Sequence, residues 1–209
     1  MSVDIFSDTI CPWCYIGFKT FNDSLRNFND YNFDIVWRPF QLNPDMPSGG
    51  MDRQKYLIRK FGNEDNARSI YKRIEVEGNK NKINFQFNKI TKTPNSFLSH
   101  KLLAYAHNQN KQTDVLELLF YKYFIKGEDI GSLDVLIKAS KDADIFDKDI
   151  ENYIISNQDN ENLLNEEKQA RNLGINSVPC FIFNKEIVVN GSQPTKNFIK
   201  IINSLNKNV

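Results

Sequence analysis

The stretch VDIFSDTICPWCYIGFK, residues 3–19, sets a short apolar alternation directly before two cysteines at positions 11 and 14, and a helical pattern after them. Val3 and Ile5 fall on one face of a strand, and Phe33, Ile35 and Trp37 alternate in the same way within NFDIVWRPF. One helix, starting near the cysteines, fits between the two runs. That order predicts a strand–helix–strand unit with a parallel pair and a right-handed crossover, which commits the opening of the chain to an α/β fold.

The pattern then changes. After QLNPDMPSGG, dense in turn formers, it becomes helical for more than a hundred residues. Leu98, Leu102, Tyr105 and Ala106 recur at helical spacing behind a Thr93–Pro94 start signal, and Leu116, Leu119, Phe120, Tyr123 and Phe124 do so behind Thr113. Shorter helical candidates are MDRQKYLIRKF, NARSIYKRIEVEG, SLDVLIKAS, DKDIENYIIS and ENLLNEEKQARNLG, the last stopping on Gly174. Strand character returns in CFIF and EIVV, with Asn184 and Lys185 between them as a tight hairpin turn. A closing helix follows Pro194, with Phe198, Ile201, Ile202 and Leu205 on one apolar face. The expected fold class is therefore α/β, ordered β-α-β, helices, β-β-α. It reads as one discontinuous domain, residues 1–47 with 174–209, interrupted by a large all-helical insertion over 48–173.

Charge and hydropathy exclude several classes. With 27 basic against 26 acidic residues and no Lys/Arg block, nothing here would track a phosphate backbone, so no nucleic-acid partner is expected. The first residues lack a basic and apolar export pattern, and nowhere do eighteen apolar residues run together. The expectation is a soluble cytoplasmic protein with no membrane partner.

The cysteine pair carries the chemistry. At a helix N-terminus, unpaired N–H groups and the macrodipole favour negative charge, and thiol pKa values there fall to about 3.5–7.5. Cys11 is thus the candidate nucleophile. Cys14, one turn inward, is within disulfide reach and is the candidate resolving thiol. Pro12 fixes φ and withholds an N–H, and Trp13 offers a flat apolar surface beside the sulfur. Two other readings compete. Half a zinc site would need partners, and the chain supplies only Cys180, His100 and His107, without a second C-x-x-C. Two structural thiols are the other, since cysteine often behaves as a small buried hydrophobe.

The combination of strand, CPWC, helix, helical insertion, VPCFIF and terminal helix resembles the DsbA-like branch of the thioredoxin superfamily, most closely the cytoplasmic FrnE-type oxidoreductases. RPFQLNPDMP, TPNSFLSHKLLAYA, NLGINSVPCFIFN and VNGSQP extend the resemblance over nearly the whole chain. It implies a thioredoxin fold, a cis peptide bond before Pro179, Pro179 facing the cysteines, and Val178 presenting backbone groups to a bound peptide or thiol. It also implies a protein disulfide or thiol substrate, glutathione included, without metal or organic cofactor, and a homodimer. His100, in PNSFLSH, resembles a cleft-lining segment. Cys180 departs from the bulky apolar residue expected after the proline and reads as either a strand filler or a third thiol near the site. Hydroxychromene-carboxylate isomerases and kappa-type glutathione transferases resemble the same fold, but typically carry serine where Cys11 stands. A peptide-binding folding helper is a third reading, one that would survive replacement of Cys11.

Overall fold

The structure is a computed structural model that describes residues 1–206, so the last three positions of the 174–209 segment lie outside the described residues. Strand β1 (Ser2–Ser7) leads into helix α1 (Pro12–Leu25), which returns as β2 (Asp34–Pro39). β1 and β2 pair in parallel, Val3 opposite Ile35 and Ile5 opposite Trp37. The chain then forms β3 (Met51–Asp52), α2 (Arg53–Phe61), α3 (Glu64–Lys80), β4 (Lys92–Thr93), α4 (Phe97–His107), α5 (Gln112–Tyr121), α6 (Leu133–Asp142), α7 (Ile150–Ile155) and α8 (Asn160–Asn172). It closes with β5 (Cys180–Phe183), β6 (Ile187–Asn190) and α9 (Thr195–Asn206). The sheet order is β2-β1-β5-β6, with β5 antiparallel to both neighbours.

Local chemistry explains the boundaries. The Asp52 carboxylate accepts the Lys55 N–H at 2.9 Å to cap α2, and Gly62 at φ 87° ends it. Asn63 caps α3 through the Asn66 N–H at 2.8 Å. Asn184 and Lys185 both take the left-handed conformation, φ 48° and 62°, and Glu186 N–H closes their turn on the Phe183 carbonyl. The middle segment is helical with an addition: β3 and β4 pair antiparallel over two positions, Met51 with Thr93 and Asp52 with Lys92. The helix expected through Phe124 also changes character, passing from α5 into a π turn over Lys122–Lys126.

Helix α1 is buried along most of its length and joins two groups of side chains. Phe21 meets Phe181 of β5 at 5.4 Å and Phe198 of α9 at 5.3 Å, holding both helices on one face of the sheet. Tyr15 stacks on Phe120 of α5 at 5.0 Å, and Phe18 meets Trp37 at 5.4 Å and Phe120 at 5.8 Å. Such aromatic pairs add roughly 0.5–1.5 kcal/mol each beyond the area they bury.

β2 lies at a sheet edge, where backbone groups lack a strand partner. Gln112, at the start of α5, covers that gap. Its Oε1 accepts the Trp37 N–H and its Nε2 donates to the Trp37 carbonyl, both at 2.9 Å, so one side-chain amide imitates a neighbouring strand. Gln112→Ala leaves both buried groups unpaired and should destabilise the fold by about 1–3 kcal/mol. Urea unfolding measures the loss, and faster exchange of the Trp37 amide assigns it to this contact.

Candidate active site

Cys11 is the N-cap of α1, with extended backbone, φ −91° and ψ 114°, and Pro12 stands in the first turn. The chain enters the helix through a turn in which Cys11 N–H donates to the Asp8 carbonyl at 3.0 Å. The Cys11 carbonyl then accepts Cys14 N–H at 3.1 Å and Tyr15 N–H at 3.2 Å. The Cys11 thiol makes no capping hydrogen bond and instead donates to the Val178 carbonyl at 3.7 Å, across 167 positions of sequence. Cys14, one turn inward, is fully buried. Burial pushes its thiol well above the ordinary value, the neighbouring Cys11 adds to this, and the Asp8 backbone and Ser7 hydroxyl oppose it.

The Val178–Pro179 peptide is cis, as the resemblance implies, and the Pro179 carbonyl accepts Gly191 N–H at 2.8 Å. Gly17 of α1 lies against this loop: a Cβ there would come within 3.0 Å of Pro179 Cγ and 3.4 Å of Phe181 Cζ. Sequence reasoning passed over Gly17, although a glycine inside a helical run is itself a signal of close approach. Trp13 is partly exposed and borders a recess of about 550 Å³ against Lys72, Arg73 and Val76 of α3. Cys180 is fully buried in β5, and burial pushes its thiol up to about 11. Phe181 and Phe183 both reach Phe21 of α1, so strand alternation directs Cys180 to the opposite face of the sheet.

His100 is buried on α4, with its Nε2 3.7 Å from Oδ1 of Asp8, a residue the sequence reading had not singled out. The adjacent Thr9 and Ser99 hydroxyls hydrogen-bond at 2.6 Å. The structure thus brings Cys11, Cys14, Val178 and Pro179 together and sets His100 behind the turn that precedes them. An acid between a strand and a helix start was the visible hint for Asp8.

A family model described as the DSBA-like thioredoxin domain matches residues 2–203, and the chain belongs to that family. It is 22% identical over 190 residues to the uncharacterized protein YwbO of Bacillus subtilis, covering 89% of this chain and 88% of that protein. In structure it is similar to a probable DsbA oxidoreductase, SCO1869 of Streptomyces coelicolor, with TM-score 0.88, 21% identity, and 98% and 89% of the two chains covered. The cytosolic disulfide reductase DsbM of Pseudomonas aeruginosa gives TM-score 0.71 at 12% identity with both chains fully covered. A 2-hydroxychromene-2-carboxylate isomerase gives TM-score 0.73 at 14% identity, covering 99% of this chain and 95% of the isomerase.

Two predictions follow from the geometry. Folding raises the Cys14 and Cys180 pKa values, so the thiol forms are favoured in the native state. Their contribution is complete below the unfolded thiol pKa of about 8.5 and is lost as pH rises through that value toward the folded ones. The urea midpoint of the reduced protein should therefore fall between about pH 8 and 10, and fall less in Cys180→Ser. Gly17→Ala gains about 1 kcal/mol of intrinsic helix preference, yet meets Pro179. It should show no net gain in stability, with Pro179 displaced in its crystal structure.

Proposed function

We propose that the chain is a thiol–disulfide oxidoreductase in which Cys11 is the nucleophile and Cys14 the resolving thiol. The observation that carries this reading is the pair itself: one cysteine at the N-cap of a helix, pointed at the backbone before Pro179, and the second buried one turn behind it. Attack of the Cys11 thiolate on a substrate disulfide forms a mixed disulfide and releases one substrate thiolate, which takes a proton from solvent. Cys14 then loses its proton and attacks the Cys11 sulfur, releasing the second thiolate and leaving a Cys11–Cys14 disulfide. Run backwards, the same steps donate the disulfide. Pro12 and Trp13 shape the approach to Cys11, and Val178 and Pro179 form the wall against which a peptide or thiol lies.

The substrate is a disulfide- or thiol-containing protein or a small thiol such as glutathione. A structure of DsbM with GSH, similar at TM-score 0.65 and 12% identity, supports the small-thiol option. The FrnE-type assignment, the cytoplasmic location, the homodimer and the division into 1–47 with 174–209 and 48–173 belong to the same proposal. The DsbM neighbour, described as cytosolic, supports the location, and no helix among the described residues is long and apolar enough to cross a membrane. The isomerase neighbour favours a second reading, a glutathione-dependent isomerase or transferase, and the cysteine at position 11, where such enzymes typically carry serine, argues against it.

Equilibrium titration in glutathione buffers tests the proposal. The parent should show one reversible two-electron transition, Cys11→Ser none, and Cys14→Ser a trapped mixed disulfide on Cys11. Cys180→Ser should leave the curve where the parent has it. A parent that forms no Cys11–Cys14 disulfide across the range would falsify the assignment, and glutathione-dependent isomerase assays would then decide.

A further inference from the structure

The first turn of α2 buries an arginine. Arg53 is 8% exposed, the one buried arginine among the described residues, and no carboxylate oxygen of those residues lies within 4.0 Å of its charge. Half-buried Arg38, by contrast, has Asp4 at 2.7 Å and Glu166 at 3.5 Å. The Arg53 guanidinium lies over the Tyr71 ring at 4.9 Å and the Tyr56 ring at 5.7 Å, and one of its N–H groups donates to the Thr93 hydroxyl at 3.1 Å. These contacts recover part of the cost of taking the charge out of water but supply no counter-charge. The phenols of Tyr71 and Tyr123, which interact with it, are pushed up by burial and stay protonated, so they supply none either.

Arg53 lines a recess of about 570 Å³ between α2, α3 and the segment leading into β4. Buried Ala67 and Ile90 share its floor, and half-buried Leu57, Tyr71 and Phe87 form its walls, so the interior is mostly apolar. The other charged groups, Asp52, Glu64 and Arg68, are exposed at the rim. Asp52 caps α2 and the Glu64 carboxylate accepts the Gln54 amide, so both acids are engaged at the mouth while the unpaired cation sits inside. Every Arg53 nitrogen that lacks a hydrogen-bond partner still reaches solvent, and this recess is the opening it lines. A guanidinium at the floor of an apolar recess suits the carboxylate of an otherwise apolar molecule. We propose that the recess binds a small monocarboxylate with an apolar body, its carboxylate on Arg53 and its body against Leu57, Tyr71 and Phe87. None of the lining residues belongs to the Cys11, Cys14, Val178 and Pro179 group, so the site stands independently of the oxidoreductase reading.

Hexanoate is the probe, with hexanamide as its uncharged counterpart and sulfate as an anion without an apolar body. Each is titrated into the intact protein and followed by NMR at the Arg53 side chain and the Ala67 and Ile90 amides. Hexanoate should shift these signals saturably. Hexanamide and sulfate should each bind more weakly by about tenfold, the scale of a charge-assisted hydrogen bond and of a few buried methylenes. No saturable shift with hexanoate, or equal affinity for hexanamide, overturns the site. Sulfate binding as tightly as hexanoate overturns it too, because the apolar walls would then play no part. These comparisons use the parent protein and do not depend on the folding of a variant. Arg53→Met, which keeps an apolar stem against Tyr71, should weaken hexanoate about tenfold, and Arg68→Gln at the rim by about twofold at most. The reverse ranking would put the anion at the mouth and overturn the assignment to Arg53.

Discussion

The docking of α1 is the interaction on which the rest of the structure depends. A helix that carries the proposed nucleophile at its N-cap has to be fixed along its length, or the N-terminus drifts relative to its surroundings. Here Phe21 anchors it to β5 and α9, while Tyr15 and Phe18 anchor it to α5 and β2. Burial of such a side chain contributes about 1.5–3 kcal/mol. Tyr15 follows Cys14 directly, so the aromatic group formed by Tyr15, Phe85, Phe120 and Phe124 begins beside the buried cysteine. The helical segment is thereby coupled to the position of the pair, not merely attached to the sheet.

Around that helix, buried polar groups are satisfied mostly by partners far away in sequence. Gln112 completes the edge of β2, Arg53 donates to the Thr93 hydroxyl at 3.1 Å, and Asp8 accepts the Ile10 amide within the β1–α1 turn and the Leu42 amide from beyond β2. Each arrangement removes the cost of leaving a donor or acceptor unpaired, and each also fixes one element against another. A few buried polar atoms are left without a partner, among them the Ser7 and Tyr123 hydroxyls and His100 Nε2, which stops 3.7 Å short of Asp8.

Much of this was legible in the sequence because its causes are local. Alternation in the first two strands, the Asn184–Lys185 turn and the apolar face of α9 each follow from residues within a few positions of one another. Other features have no local cause. The β3–β4 pairing is two residues long, too short for any alternation to register. Helix α3 runs past Gly78, and the Phe85 ring packs so close to that glycine that a Cβ would sit 2.5 Å from it. The contacts of Cys11 with Val178, Gly17 with Pro179 and Asp8 with His100 join positions roughly ninety or more residues apart, which no periodicity encodes. The family resemblance supplied the first of these juxtapositions and not the others.

In the proposed reaction the two thiols differ through their surroundings more than through their chemistry. Both sulfurs are buried, Cys11 at 3% and Cys14 at 0% exposure, but burial holds Cys14 protonated, so in the proposed reaction the mixed disulfide forms on Cys11. Cys14 gains access to that bond only from within the protein, which makes resolution intramolecular and independent of a second encounter. The wall opposite Cys11 is the Val178 carbonyl, a backbone group that every polypeptide can address equally. In the proposed reaction, recognition through backbone imposes little sequence preference, which leaves discrimination among substrates to surrounding side chains such as Trp13, Lys72 and Arg73, which line one recess together. The proposed site thus selects for a reachable disulfide first and for surrounding charge second.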